Sequence, residues 1–129
     1  MLFRSDDSHK DADFFFGWTM ICAEDNQEKT LLDALAKGSF YSTMGPEFTR
    51  LNWENGVLEA EFSPCAEVTV LSNSAYGWSI RRAEEQGELA TSLRLELPRV
   101  LEHPESYKYL RIQLRDKDGK YAWSMPIIL

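Results

Sequence analysis

The chain is 129 residues long, room for one domain or for one domain with a piece of another, and 43% of its residues are apolar, enough to bury a core. With 21 acidic residues against 14 basic ones its formal net charge is −7, which disfavours nonspecific attraction to nucleic-acid phosphates or to anionic lipid. Cys22 and Cys65 lie far apart without a Cys-x-x-Cys partner, and no apolar leader precedes a small-residue cleavage site, so two reduced core thiols in a cytoplasmic protein are expected rather than a secreted disulfide framework.

In chain order, Met1 to Arg4 reads as a short strand feeding an acidic loop. The longest apolar run, Phe14 to Ala23, is about half of the roughly 20 residues that a bilayer-spanning helix needs. It predicts a buried strand or loop, extended from Trp18 to Ala23, and no membrane partner. Thr30-Leu31-Leu32-Asp33 predicts a helix opened by a capping box, with Leu31, Leu32, Leu35 and Ala36 as its apolar stripe and Gly38 as the residue just past its end.

After Gly45-Pro46 the hydrophobic period becomes two. Leu58, Ala60 and Phe62 alternate with Glu59 and Glu61; Leu93, Leu95 and Leu97 with Arg94 and Glu96; Leu110, Ile112 and Leu114 with Arg111, Gln113 and Arg115. Glu54-Asn55-Gly56 and Asp118-Gly119 lie between such runs and supply the positive φ angles of tight hairpins, while Pro64, Ser72-Asn73-Ser74 and Pro98 mark further breaks. The pattern predicts a mainly β chain. Residues 45–129 form an immunoglobulin-like antiparallel β-sandwich of about seven short strands, preceded at residues 1–44 by a short α/β segment.

Asp7-Ser8-His9 is the constellation with an obvious chemical use. A carboxylate and an imidazole two residues apart on a loop leaving a strand can aim oxygen and nitrogen at one divalent ion, although two ligands rarely hold a metal and the same pair also reads as plain surface loop. Asp116-Lys117-Asp118-Gly119 begins like a calcium loop but lacks the closing Glu and lies between strands, so a hairpin is expected. Trp53, Trp78 and Trp123 with Tyr76, Tyr107, Tyr109 and Tyr121 could line a carbohydrate face or fill a core. His103, in a polar Pro-flanked loop, reads as solvated. No Gly-x-Ser-x-Gly elbow occurs, and Ser8 beside His9 cannot act as a nucleophile and base pair because adjacent loop residues point apart.

Three segments carry a family resemblance: Ser5-Asp6-Asp7-Ser8-His9, Gly38-Ser39-Phe40-Tyr41-Ser42-Thr43-Met44-Gly45-Pro46-Glu47 and Asp118-Gly119-Lys120-Tyr121-Ala122-Trp123-Ser124-Met125-Pro126-Ile127. In that order they resemble the closing stretch of bacterial polymerase-and-histidinol-phosphatase (PHP) family metal-dependent phosphoesterases. Asp7 and His9 match the last metal-binding Asp-x-His motif, Trp18-Thr19-Met20 match the aromatic-Thr-Met stretch after it, and a Leu-rich helix leads into Gly38. The likeness covers most of the chain and is weaker from Cys65 to Leu101.

The resemblance implies that residues 1–44 are the end of a PHP-like barrel and that the family's divalent ion is zinc, manganese or iron. It also implies that the other His, Glu and Asp ligands come from motifs upstream of this stretch. The isolated chain is therefore expected to hold no cofactor, to carry no catalytic residue and to turn nothing over, acting as a C-terminal or accessory part of such an enzyme. Its partner would be the missing barrel or a second copy joined through the N-terminal segment. Two other readings are a stand-alone immunoglobulin-like binding module with its first 44 residues as a cap or arm, and a small hydrolase with a site shared between subunits from two copies of Asp7 and His9.

Overall fold

The alternation after Pro46 resolves into two antiparallel sheets around one core. The computed structural model describes residues 10–11, 16–73, 77–82, 87–103 and 105–129. Its elements are β1 (Trp18–Ile21), α1 (Glu28–Ala36), β2 (Phe40–Thr43), β3 (Phe48–Glu54), β4 (Val57–Cys65), β5 (Glu67–Leu71), β6 (Gly77–Arg82), β7 (Ala90–Glu96), α2 (Pro98–Glu102), β8 (Tyr109–Arg115), β9 (Tyr121–Ser124) and β10 (Ile127–Ile128). The smaller sheet runs β3-β4-β7 and the larger β1-β2-β9-β8-β5-β6, with β10 also paired to β8.

The dry faces are those the alternation marks. Leu58, Ala60 and Phe62 of β4 and Leu93 of β7 meet Val68 and Val70 of β5 and Leu110, Ile112 and Leu114 of β8, all buried in one continuous cluster. That is a β-sandwich: each sheet presents one face to the other and the opposite face to water. Among the described residues eight strands follow Pro46, but β9 and β10 share the same edge of β8, which leaves seven strand positions.

Turn chemistry sets the register. Glu54 pairs with Val57 across a two-residue loop in which Asn55 and Gly56 have φ of 50° and 78°, the type I′ geometry that matches strand twist. The positive φ favours glycine at position 56, and a Cβ there would also meet Leu101 Cδ1 of α2 at 2.7 Å, so that exposed side chain would have to move aside. The Gly56 carbonyl also accepts the Leu97 N–H at 2.8 Å, which ties the hairpin tip to α2. That helix, unforeseen in the sequence, begins at Pro98, whose fixed φ suits a first helical position.

The segment before Pro46 joins the larger sheet. β2 pairs with β9 through Tyr41↔Ser124, Ser42↔Trp123 and Thr43↔Ala122, and β1 pairs with β2. The boundary expected between residues 44 and 45 falls in a turn where the Thr43 hydroxyl donates to the Pro46 carbonyl and accepts the Gly45 N–H at 2.8 Å.

Three expectations are corrected. α1 starts at Glu28, so Thr30 lies inside its first turn rather than at a capping box, and Gln27 at the N-cap makes no side-chain cap bond. Asp25 supplies the entry instead: its Oδ1 accepts the Gln27 N–H at 3.0 Å, and this bond, with one from the Thr30 hydroxyl, holds its carboxyl below the ordinary range. Gly38, as expected, closes the helix: it has φ of 75°, donates to Leu35 O, and is followed by Ser39 donating to Ala34 O, which is a Schellman ending. Cys65 is buried but Cys22 is exposed, so only one thiol is in the core. The described part of the apolar run is not buried either, with Phe16 62%, Trp18 42% and Met20 39% exposed. The extended segment expected from Trp18 to Ala23 is β1, and with β2 it brings the strands to ten among the described residues. No helix among them is long and apolar enough to cross a membrane.

Candidate functional site

Asp7 and His9, the metal pair expected from the sequence, lie outside the described residues, as do Met1 to Arg4, Phe14 and Phe15. Among the described residues no group of three or more His, Cys, Asp or Glu gathers to hold an ion. His103 is exposed, with Nδ1 3.5 Å from a Glu105 oxygen. The Asp116 carboxylate is used by its own hairpin: Oδ1 accepts the N–H groups of Asp118 and Lys120, each at 2.9 Å, and Gly119 takes φ of 79°. On the water face of the smaller sheet Arg94 and Arg50 pair with Glu59, and Arg50 also with Glu61 at 3.6 Å. These are exposed cross-strand pairs worth little each.

Two further surface features among the described residues combine aromatic and apolar side chains. The first is the flank formed by β1, β2 and β3. Through the pairings Trp18↔Thr43 and Met20↔Tyr41, the register puts Trp18 and Met20 on the core-side face of the larger sheet, since Thr43 in turn pairs with buried Ala122. The smaller sheet ends at β3, where Leu51 is 38% exposed. Between the sheet edges lies a groove of about 330 Å³, lined by Cys22, Tyr41, Phe48, Leu51 and Met125 among others. Tyr41 and Phe48 meet edge to face at 5.3 Å and Phe48 meets Phe62 at 6.4 Å, so a chain of rings leads from the groove to the core. Burial pushes the Tyr41 hydroxyl above its ordinary pKa.

The second feature is on the opposite face of the larger sheet. The sequence left the aromatics open between core and binding face, and the structure divides them. Tyr107 is buried and stacks with Trp78 at 6.1 Å, and Trp53 and Trp78 pack against the core; Tyr76 lies outside the described residues. Tyr109, Tyr121 and Trp123 instead alternate with buried Leu110, Ala122 and Ser124 and therefore face outward. Tyr121 and Trp123 stack at 5.5 Å with 12° between their planes, and Trp123 Nε1 donates to Gln113 Oε1 at 2.9 Å.

Beside them a break in the strand makes a pocket. If the pairing Gln113↔Trp123 continued unbroken, Leu110 would face Pro126, yet it pairs with Ile127, so one extra residue bulges at Met125–Pro126. The pocket there, about 240 Å³, is lined by Ser42, Tyr109, Arg111, Trp123, Ser124, Met125 and Pro126. Arg111 Nε donates to the Ser124 carbonyl at 3.1 Å. Sequence reasoning did not find this site, although Pro126 beside the aromatic alternation was its signal.

No protein-family model matches the chain, and no curated protein or solved structure matches it.

Proposed function

We propose that the chain is the C-terminal accessory part of a PHP-like metal-dependent phosphoesterase: a non-catalytic, immunoglobulin-like interaction module that docks through its β1, β2 and β3 flank. The observation that carries this reading is the exposure of Trp18, Met20 and Leu51 on faces directed toward the core side of the two sheets, where a lone sandwich would bury or replace them. Apolar side chains left exposed on one flank in this way are the material of interaction sites. The strand orders β3-β4-β7 and β9-β8-β5 correspond to those of an immunoglobulin-type sandwich, which supports the module reading.

In isolation the flank is expected to take a second copy of the chain. Sedimentation at ~100 μM, far above the ~1 μM scale of a modest interface, should show a dimer or larger species, and Trp18→Ser with Met20→Ser should return it to monomer. A strictly monomeric parent chain at that concentration counts against the docking flank. Zinc and manganese are expected to be lost on dialysis, with no hydrolysis of an aryl phosphodiester above background. Stoichiometric metal abolished by Asp7→Ala or His9→Ala would instead favour a hydrolase whose site is shared between subunits.

A further inference from the structure

We propose that the open edge of β1 is a self-pairing strand: two copies of the chain join edge to edge and antiparallel, with Thr19 on the two-fold axis and the larger sheet continuous across the pair. This rests on the docking flank proposed above and names how a second copy sits on it.

The hydrogen-bond phase of β1 decides which groups the edge offers. Cys22 N–H donates to the carbonyl of Ser39, directly opposite, at 2.8 Å, so in the alternation of an antiparallel ladder Met20 and Trp18 also bond toward β2 and the residues between them do not. The bond from Met44 N–H to Tyr121 O, at 2.7 Å, fixes the same phase independently, since it turns Ser42 toward β9 and leaves Tyr41 and Thr43 for β1. The N–H and C=O groups of Thr19 and Ile21 therefore point away from β2, where they have no partner among the described residues. An unpaired row of this kind is a template for another strand.

Charge selects the edge. Among the described strands that end the two sheets, β3 carries Arg50 and Glu54, β6 Arg81 and Arg82, and β7 Arg94 and Glu96, whereas β1 carries no charged residue and no proline. Charged side chains and proline are the usual guards against edge pairing. In a chain of net charge −7, a second copy also meets least repulsion where neither strand is ionised.

Register selects the occupant. Opposed residues in an antiparallel pair share a face, and outward-pointing residues must meet outward-pointing ones, which leaves Thr19↔Thr19, Thr19↔Ile21 or Ile21↔Ile21 within the strand. Only the first sets Trp18 of each copy opposite Met20 of the other, in non-hydrogen-bonded pairs where side chains approach most closely. These two are the exposed apolar residues of β1. The strand is thus complementary to itself about Thr19.

The experiment is sedimentation of the full chain at ~100 μM, far above the ~1 μM scale of a modest interface. Thr19→Pro removes an outward N–H, breaks no bond to β2 and leaves Trp18, Met20 and Leu51 in place, so it should be folded and monomeric. Thr19→Val keeps the N–H and should dimerise like the parent. Thr19→Cys, with Cys22→Ser to silence the exposed thiol, should oxidise to a disulfide-linked dimer, because hydrogen-bonded opposed residues have Cα atoms about 5.5 Å apart, within the roughly 4.4–6.8 Å that a disulfide spans. Should Thr19→Pro fail to fold, amide exchange in the parent decides: the Thr19 and Ile21 N–H groups should exchange about fivefold more slowly at ~100 μM than at ~1 μM. A dimer that persists in folded Thr19→Pro, a monomeric Thr19→Val, concentration-independent exchange at both amides, or a dimer that Thr19→Cys cannot link would overturn strand pairing in this register and leave docking through the flank's side chains standing. A strictly monomeric parent chain would overturn both.

Discussion

Ser124 Oγ stands 2.9 Å from the backbone nitrogen of Ile112 and accepts its hydrogen bond in the buried interior of the larger sheet. The bulge at Met125–Pro126 shifts the ladder there by one residue, and the hydroxyl fills the place of a strand carbonyl while itself donating to Met125 O at 2.9 Å. A buried N–H left without a partner costs about 1–3 kcal/mol. Ser124→Ala should therefore lower the unfolding free energy by about that amount in urea titrations, although it removes only one oxygen atom. A loss near zero would mean that Ile112 finds another acceptor.

Ile112 and Leu95 separate two degrees of burial on facing sheets. Ile112 is fully enclosed, while Leu95, opposite Leu58 on β7, is only partly buried against the core. Ile112→Ala should cost about 2–5 kcal/mol, the usual range for deleting enclosed methyl groups. Leu95→Ala should cost less, because part of that side chain already contacts water. Equal losses in the two denaturation curves would contradict this ordering of the faces.

Which parts of this architecture could be read in the sequence follows from which forces are local. Alternation at Leu58 to Phe62 and at Leu110 to Leu114 names a dry face directly, because a strand has a fixed period of two. Asn55-Gly56 names its turn because few residue pairs accept two positive φ angles. The start of α1 at Glu28 is not legible because Thr30-Leu31-Leu32-Asp33 has the pattern of a capping box, while the true entry is set by where the chain arrives from β1. Exposure of Trp18 and Met20 was equally illegible: they look like core residues, and only the width of the smaller sheet leaves them uncovered. The Arg111 pocket depends on a register shift between strands, and no single strand records that.

The two thiols should react on different timescales. Cys22 is exposed and Cys65 is buried, so a disulfide reagent should modify one thiol in the native protein and the second only with unfolding.

Burial, with the Asp116 carboxylate nearby, also pushes the Cys65 thiol up from 9.0 to about 11. Because the folded-state value is the higher one, this group's stabilising contribution is fully present below the ordinary thiol pKa and is lost as pH rises through the folded value. The stability difference between the parent protein and Cys65→Ala should thus shrink between pH 9 and 11. A constant difference across that window would show that the thiol ionises alike in both states.

Removing residues 1–44 tests where folding autonomy lies. The buried core cluster runs from Leu58 to Ala122, so residues 45–129 carry it entire and should still melt cooperatively. They would nevertheless lose β2, whose pairing with β9 covers one edge of the larger sheet at Tyr41, Ser42 and Thr43. An uncovered β9 edge is a template for pairing with another chain. The truncated protein is therefore expected to melt at a lower temperature than the full chain and to associate through β9 as its concentration rises. Calorimetry and sedimentation on the same samples measure the two effects. A broad, non-cooperative melt would mean that β1, α1 and β2 are integral to the sandwich, and an unchanged melting temperature would mean that the β2 ladder contributes nothing to its stability.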